Sequence, residues 1–285
     1  MPSEAALSRR ALLAEGAAAL AAAGIGAARR EARRLWADLL GEPAAHAVLR
    51  ADEPVPPERA AAYASAVARR AAGEPLAYVT GWTGFRHLTL RCDRRALIPR
   101  PETEGLVDLV LARAPTGRIA DVGTGSGCLA LSLAVEGGYT EIVAVDCSAA
   151  ALGLAAENAR LVEAPVALVR GDLCAPLAPR SLDALVSNPP YLTAGEYAVL
   201  DPSVRGWEPA LALASGSDGL EATTRILAEG HAAVRPGGWL ALEIDCTRAA
   251  ECAGRAGALG WTDVAVHADL FGRERYLLAR RSDAP

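Results

Sequence analysis

The feature that most limits how this chain can fold is an alternation of strand-like and helix-like runs that starts near Arg118. Short runs of β-branched and aliphatic residues are separated by longer stretches with helical periodicity. This rhythm is typical of a parallel sheet with helices on both faces, so we predict an α/β domain. The predicted elements are, in order, strand RIADV, a helix through Ala134, strand EIVAVD, a helix through Leu161, strands VALVRGD and LDALVSNPP, a helix near Leu220–Val234, and strand GGWLALEI.

The end of the chain departs from this rhythm. Thr262–His267 and Arg275–Arg280 are predicted strands with no helix between them. Parallel neighbours need a long crossover, whereas antiparallel strands can be joined by a short turn. We therefore expect the last strand to run antiparallel.

The first quarter of the chain has a helical pattern instead. From Ser3 to about Ala72, Ala, Leu and Arg recur at spacings of three and four, with breaks at Gly24–Gly26, Gly41–Pro43 and Pro54–Pro57. Pro56 and Pro57 followed by Glu58 are typical of a helix start. A small helical bundle over residues 1–75 is predicted.

A short segment joins the two patterns. From Tyr78 to Ile98, apolar and polar residues alternate around Gly81 and Gly84, which favours a β-hairpin. The chain's 285 residues are enough for a catalytic domain and a smaller one. We predict three parts: the bundle (1–75), a hairpin linker (76–99) and the α/β domain (100–285).

Charge is spread unevenly along the chain. Residues 100–285 carry 15 Arg and 24 acidic residues, whereas residues 1–75 carry 10 Arg and 9 acidic residues. A surface that follows a phosphate backbone needs positive charge. The acidic α/β segment therefore argues against extended direct contact with nucleic acid.

The cysteines and the hydrophobic runs bear on location. The six cysteines form no CxxC pair and no zinc-type spacing, so we predict reduced thiols, a cytoplasmic protein and no metal site. The stretch Ser8–Ala28 imitates a twin-arginine leader, but Glu15 interrupts it and further Arg residues follow at once. No segment approaches the ~20 apolar residues of a membrane span, and we expect no membrane association.

A glycine-rich loop follows the first predicted strand of the α/β domain and opens a helix. Glycines let a backbone approach a ligand closely, and the helix start offers unpaired N–H groups. Asp146 ends the second strand, where an acid can accept both hydroxyls of a ribose. Asp172 ends the third strand and is compatible with an adenine contact or with a simple cap. The predicted cofactor-binding residues of the loop are Gly123, Thr124, Gly125, Ser126 and Gly127.

The fourth predicted strand ends in Ser187-Asn188-Pro189-Pro190-Tyr191. The prolines hold Asn188 and Pro189 extended, so their oxygens are not used by a helix. The Asn188 side-chain oxygen and the Pro189 carbonyl can accept N–H groups while Tyr191 packs on a flat face. A strand-ending turn is the alternative.

Such a cleft suits a nicotinamide enzyme or an S-adenosylmethionine enzyme. Hydride transfer has no evident use for Asn-Pro-Pro-Tyr. Methyl transfer to a conjugated nitrogen does have a use for this segment. The lone pair of such a nitrogen is delocalised, so the nitrogen is a poor nucleophile until acceptors hold its N–H groups. Orientation and electrostatic stabilisation would then suffice for catalysis.

The chain carries five motifs, LIPRPETE (Leu97–Glu104), DVGTGSG (Asp121–Gly127), VD (Val145–Asp146), SNPPY (Ser187–Tyr191) and VRGWEPALAL (Val204–Leu213). They stand in the order seen in the HemK/PrmC protein-(glutamine-N5) methyltransferases, which the chain resembles over nearly its whole length. The resemblance implies a seven-stranded, Rossmann-like class I methyltransferase sheet and an N-terminal substrate-recognition domain. Asn-Pro-Pro-Tyr is shared with DNA adenine-N6 methyltransferases, and a sister group acts on a ribosomal protein glutamine.

The resemblance implies a specific reaction. S-adenosyl-L-methionine would methylate the glutamine of the Gly-Gly-Gln loop in class I peptide chain release factors and leave as S-adenosyl-L-homocysteine. Asn188, Pro189, Pro190 and Tyr191 would bind the glutamine, with Asn188, Pro189 and Tyr191 catalytic and Asn188 also touching the cofactor.

This chain departs from the family pattern at two places. Leu173, beside the expected adenine, replaces a residue that is often aromatic, so aliphatic contact would replace stacking. Asp245-Cys246 follows Glu243-Ile244 where glycine is usual, which leaves the shape of that loop open.

Several polar residues have two interpretations. Arg100, Glu102 and Glu104 either line the substrate entrance or, for the two acids, form a solvated helix start. Arg205, Trp207 and Glu208 either order a loop over the cleft or only pack. We assign no catalytic role to the four histidines, His46, His87, His231 and His267.

Overall fold

The computed structural model describes residues 8–42 and 46–282. The described chain divides into two compact units. One unit contains the residues up to Trp82 together with Pro202–Trp207, and the other contains Thr83–Asp201 and the residues from Glu208 onward.

The first unit is helical, as predicted. The break predicted at Gly24–Gly26 separates its first two helices, and Pro57 is the first residue of its fourth. The predicted helical residues before Ser8 and the predicted break at Pro43 lie outside the described residues. The helices of the N-terminal segment are α1 (Arg9–Ala22), α2 (Ala28–Leu40), α3 (His46–Leu49), α4 (Pro57–Ala71) and α5 (Leu76–Thr80).

The core of this unit is built around Trp36 of α2. Its side chain is fully buried and meets Tyr63 of α4 edge to face, with ring centroids 5.4 Å apart. The Tyr63 hydroxyl donates to the Ala32 carbonyl at 3.2 Å, so this buried polar group is satisfied. Most of the stretch Ser8–Ala28, which imitates a twin-arginine leader, forms α1. Arg9 of this helix is buried, and its Nη2 lies 3.4 Å from Glu53 Oε2.

The predicted hairpin is shorter than expected. Strands β1 (Trp82–Phe85) and β2 (Leu88–Arg91) form a two-stranded sheet. The prediction was wrong for Tyr78–Thr80, which belong to helix α5 although Tyr, Val and Thr favour strands. Pro75 precedes this helix, Gly81 ends it in a left-handed conformation, and burial of its side chains outweighs strand propensity.

The second unit contains a seven-stranded sheet, which confirms the predicted α/β fold class. Its order is β5-β4-β3-β6-β7-β9-β8, parallel except for β9, which runs antiparallel to both neighbours. The expectation of an antiparallel last strand is confirmed. The strands are β3 (Thr116–Val122), β4 (Gly138–Asp146), β5 (Ala167–Arg170), β6 (Leu182–Ser187), β7 (Val234–Glu243), β8 (Trp261–Ala268) and β9 (Glu274–Arg281).

Helices cover both faces of this sheet. The helices of this unit are α6 (Pro101–Arg113), α7 (Cys128–Glu136), α8 (Ala149–Val162), α9 (Ala194–Ala198), α11 (Glu221–Ala233) and α12 (Ala249–Ala258), and α10 (Pro202–Arg205) belongs to the first unit. Alternate residues of β3 belong to opposite hydrophobic clusters: Ala120 and Val122 pack with α11 and α12, and Ile119 packs with α6 and α7. Helix α12, between β7 and β8, was not anticipated.

The strand order places a switch point between β3 and β6. From β3 the chain continues through β4 to β5 on one side, and it then returns to build β6 and β7 on the other. Ligands of open α/β sheets bind beyond the carboxyl ends of the strands at such a point. Within the described residues, no helix has the length and apolar character needed to cross a bilayer.

Leu185 at the centre of β6 provides a test of this core. Its side chain is fully buried, so Leu185→Ala should lower the free energy of unfolding by about 2–5 kcal/mol. Urea unfolding followed by circular dichroism measures the loss. Leu270→Ala is the matched control, because Leu270 is 96% exposed and should change stability by less than ~0.5 kcal/mol. Equal effects of the two substitutions would contradict the placement of β6.

Candidate functional site

The glycine-rich loop lies at the carboxyl end of β3. Gly123 and Gly125 have φ angles of 73° and 56°, a left-handed conformation in which a side chain would be strained. A Cβ added at Gly123 would meet no atom within 4 Å, so its backbone borders open space. Helix α7 begins directly after Gly127, its N-cap. This arrangement presents bare backbone and a helix start to a ligand.

Asp146 at the end of β4 fixes the loop. One carboxylate oxygen accepts the Gly125 N–H at 2.9 Å, and the other accepts the Ser148 N–H at 2.8 Å. An ionised carboxylate offers about four acceptor sites, so acceptor capacity remains for a diol. Asp146 lines the same cleft as Gly123.

The residues after β5 border a neighbouring pocket. Asp172 and Leu173 line it together with Gly123, Asp146 and Pro190, which also line the main cleft. The Asp172 carboxylate is mostly exposed and pairs with Arg225 at 2.9 Å. Among the described residues, the Asp172 side chain caps no helix. The Asp172 backbone carbonyl accepts the Ala175 N–H and so closes a turn. Roles for Asp172 and Leu173 beside an adenine stay predictions.

The Asn-Pro-Pro-Tyr segment begins where β6 ends, directly beside β3. The Ser187 hydroxyl donates to the Val122 carbonyl at 2.6 Å, which ties the two strand ends together. Asn188 and Pro190 line the main cleft, while Pro189 is buried. The cleft therefore lies between the glycine-rich loop and Asn188.

Tyr191 is half-buried and does not line the main cleft, but its backbone is anchored. Arg248 donates to the Tyr191 carbonyl at 3.4 Å and pairs with Glu196 at 2.6 Å. Arg248 also pairs with Asp245, one of the residues that replace the expected glycine. Burial raises the pKa of the Tyr191 phenol to about 12, so it stays protonated at neutral pH.

A wall of the cleft comes from the segment between β2 and α6. Residues 95–98 line the cleft instead of extending the hairpin as predicted. Pro99, Arg100 and residues 209, 211 and 212 line it too. Glu208, with its side chain 1% exposed, accepts Arg100 Nη2 at 2.6 Å and the Ile98 N–H at 3.1 Å. The empty space inside the cleft, including its open mouth, is about 810 Å³.

The chain was compared with known proteins. A family model described as the PrmC N-terminal domain matches residues 11–81, and one described as the methyltransferase small domain matches residues 102–202. The release factor glutamine methyltransferase of Cereibacter sphaeroides is 44% identical over 263 residues, which cover 92% of this chain and 94% of that protein. The protein of the same name from Deinococcus radiodurans is 41% identical over 276 residues, which cover 96% of this chain and 98% of that protein.

The chain belongs to the HemK/PrmC family. A crystal structure of a methyltransferase from Pyrococcus furiosus has the same fold as the second unit, with a TM-score of 0.53 and 19% identity. The structural match covers 69% of this chain and 90% of the Pyrococcus furiosus chain. The predicted family is confirmed, and with it S-adenosylmethionine as the cofactor of this HemK/PrmC member.

The site of this HemK/PrmC member fits that cofactor by its donor set. The open backbone at Gly123 and the carboxylate of Asp146 face one cleft with the amide of Asn188. The Thr124 hydroxyl is directed inward, donating to Asp121 at 2.6 Å, and Ser126 is buried. Gly127, Pro189 and Tyr191 are predicted site residues that do not line the cleft.

Sequence reasoning left out several groups of the site. Thr103 of α6 binds Asn188, Glu243 of β7 binds Thr103, and residues 95–99 form a wall. Of the uncertain acids, Glu104 accepts the Arg86 N–H at 2.9 Å, and Glu102 lies 3.5 Å from Arg273. The LIPRPETE motif was the signal for Thr103, but nothing local in the sequence pairs it with Glu243.

The Glu208 contacts predict a defect in cofactor binding. Glu208→Ala leaves the Ile98 N–H and the Arg100 guanidinium without their acceptor, so the wall should loosen. Affinity for S-adenosylmethionine should fall by on the order of tenfold, the scale of one charged hydrogen bond. Isothermal titration calorimetry measures it. Glu141→Ala removes an exposed pair with Arg118 and should bind as wild type does; equal affinities of both variants would contradict the role of Glu208.

Asp121 predicts a pH effect on stability. Its carboxyl group is 1% exposed, and burial raises its pKa to about 7. The protonated form favours the folded state, so this contribution is fully present below pH ~4 and is lost as the pH rises through about 7. Asp121→Asn replaces the carboxyl group by a neutral amide. The free energy of unfolding of this variant should therefore decline less between pH 5 and 8 than that of the wild type, and the two slopes should differ by up to about 1.4 kcal/mol per pH unit.

Urea unfolding at constant ionic strength measures the Asp121 effect. Glu243 remains in the variant and its pKa is likewise raised by burial, to about 7, so some slope should persist. Asp263→Asn, a change of a mostly exposed carboxylate, is the control. A wild-type slope in Asp121→Asn would contradict the prediction.

Proposed function

We propose that this protein transfers the methyl group of S-adenosylmethionine to the side-chain amide nitrogen, N5, of the glutamine in the Gly-Gly-Gln motif of class I peptide chain release factors. The observation that carries the proposal is full-length similarity: relatives named release factor glutamine methyltransferase are 41–44% identical over more than nine-tenths of both chains. A cleft that joins the glycine-rich loop to Asn188 supports it.

The proposed cofactor residues surround the loop at the end of β3. S-adenosylmethionine, when bound, supplies an electrophilic methyl group on a sulfonium. Backbone N–H groups at the start of α7 and the Asp146 carboxylate hold a ligand with carboxylate and ribose groups. The proposed set is Gly123, Thr124, Gly125, Ser126, Gly127, Asp146, Asp172, Leu173 and Asn188.

The proposed substrate residues act on an amide nitrogen that is a poor nucleophile. Its lone pair is shared with the carbonyl group, so attack requires acceptors that favour positive charge on nitrogen. The Asn188 side-chain oxygen and the Pro189 carbonyl accept the two N–H groups, and Tyr191 packs on the amide plane beside Pro190. During transfer N5 gains a bond to the methyl carbon as the sulfonium–methyl bond breaks, N5 loses one proton to solvent, and the leaving group is S-adenosyl-L-homocysteine.

Two other substrates define the alternatives. A ribosomal protein glutamine would present the same amide, and DNA adenine presents a conjugated amine. An adenine enzyme must flip its base and hold the backbone with a basic region. Residues 100–285 carry more acidic than basic residues, which favours a protein substrate.

The N-terminal residues 1–75 and the cellular location complete the proposal. We assign recognition of the release factor to the helical residues 1–75, which the PrmC N-terminal domain model matches in large part. We place the protein in the cytoplasm, where release factors act and where the six cysteines, all free, stay reduced.

Two measurements test the proposal. Calorimetry should give saturable binding of S-adenosylmethionine and none of NAD. Labelled methyl groups should enter a class I release factor and not duplex DNA or ribosomal protein. Binding of NAD alone, or incorporation into DNA with none into release factor, would overturn the proposal.

Asn188 predicts a defect in turnover. Asn188→Ala removes the side-chain acceptor and should lower kcat by on the order of 10²-fold or more, the scale for one preorganised polar group. Initial rates at saturating cofactor and release factor measure it, and a thermal melt checks that the variant is folded. Asn188→Asp keeps the acceptors but adds charge, and it should bind cofactor while remaining slow. A near wild-type kcat in Asn188→Ala would reduce the segment to a strand-ending turn.

A further inference from the structure

A buried chain of hydrogen bonds runs from β7 to Asn188. The Thr103 hydroxyl donates to Glu243 Oε2 at 2.6 Å, and Asn188 Nδ2 donates to Thr103 Oγ1 at 3.0 Å. Glu243 and Thr103 are 1% and 2% exposed. Because the protein excludes water from both groups, each depends on the other for its hydrogen bonds.

The direction of this chain follows from counting protons. An ionised carboxylate can only accept, and a threonine hydroxyl has a single proton. When the Thr103 hydroxyl donates its hydrogen bond to Glu243, Thr103 Oγ1 can only accept a hydrogen bond from Asn188. The amide group of Asn188 must therefore turn its nitrogen towards Thr103.

The opposite end of the Asn188 amide is its oxygen. Within residues 8–42 and 46–282, no hydrogen bond is made to Asn188 Oδ1, and the residue lines the main cleft. A glutamine N–H needs an acceptor at that end. If the amide were rotated by half a turn, Nδ2 would face the substrate N–H, and two donors would oppose each other.

We infer that Glu243 and Thr103 are positioning residues that hold the Asn188 amide with its oxygen towards the substrate nitrogen. This inference rests on the proposed function, since it concerns the acceptor for the glutamine N–H. Thr103 lines the main cleft beside Asn188, whereas Glu243 does not line it. Their effect passes through the orientation of Asn188.

Neighbouring elements hold the two residues in place. The Tyr276 hydroxyl of β9 donates to the Glu102 carbonyl and so anchors the first turn of α6, which carries Thr103. Arg275 Nη1 lies 3.9 Å from Glu243 Oε1, while Arg275 Nε binds Asp269 at 2.9 Å. The nearest cation is thus shared with Asp269, and Thr103 supplies the short contact.

The charge state of Glu243 controls the direction of the chain. A protonated Glu243 can donate to Thr103, which then donates to Asn188 Oδ1 and turns Nδ2 towards the cleft. Burial raises the pKa of Glu243 to about 7, with Thr103 and Arg275 opposing the rise. The active direction is therefore favoured as the pH rises through this range. The titratable and charged groups that interact with Glu243 are Arg100, Glu102, Cys128, Tyr191, Arg275 and Tyr276.

Substitutions at Thr103 test the inference. Thr103→Val keeps the shape and removes the hydroxyl, and kcat for release factor should fall by on the order of tenfold or more, the scale of about 1.4 kcal/mol in transition-state stabilisation. Thr103→Ser restores the hydroxyl and should recover kcat to within about threefold of wild type. The dissociation constant for S-adenosylmethionine, measured by calorimetry, should stay within about threefold in both. Thr223→Val, the same change at a buried threonine of α11, should leave kcat unchanged.

Glu243→Gln is the second variant and keeps the test decisive if Thr103→Val does not fold. Gln can donate or accept, so the preference for one direction is lost and kcat at pH 8 should fall. The increase of wild-type kcat between pH 6 and 8 should flatten in this variant.

The outcomes separate the inference from the proposed function. An inactive wild type would count against the proposed function itself. An active wild type with full kcat in Thr103→Val, with Thr103→Ser as slow as Thr103→Val, or with an unchanged pH profile in Glu243→Gln would overturn the positioning role alone.

Discussion

The parallel pairing of β3 with β4 on one side and β6 on the other is the constraint on which the rest of the site depends. Because all three strands run in one direction, their carboxyl ends meet at one edge of the sheet. Asp146 is the last residue of β4, and the glycine-rich loop and Asn188 directly follow β3 and β6. The chain needs no long loop to bring cofactor and substrate groups together.

Buried polar groups convert this edge into a defined site. Asp121, Glu208 and Glu243 are each 5% exposed or less, and each holds a different part of the cleft. Asp121 accepts the Thr124 hydroxyl within the loop, Glu208 fixes the wall, and Glu243 acts on Asn188 through Thr103. A buried carboxylate is costly in isolation, so its retention is explained by the groups that it holds.

The sequence predicted the parts of the molecule that depend on local pattern. Strand and helix alternation predicted the sheet, and the positions of Gly123, Asp146 and Asn188 at strand ends predicted the cleft that they line. The Glu243–Thr103 bond could not be predicted, because it joins residues 140 apart in the chain through tertiary folding. Tyr78–Thr80 was mistaken for strand because burial and the Pro75 and Gly81 boundaries of its helix outweighed intrinsic propensity.

The central claim is that this cleft brings a methyl group to a glutamine amide. The most direct test incubates the purified protein and S-adenosylmethionine with a class I release factor and locates the added mass by fragmentation of the proteolytic peptides. The account predicts one methyl group on the side chain of the Gly-Gly-Gln glutamine and none on a release factor with alanine at that position. A methyl group on any other residue, or undiminished incorporation into the alanine variant, would contradict it.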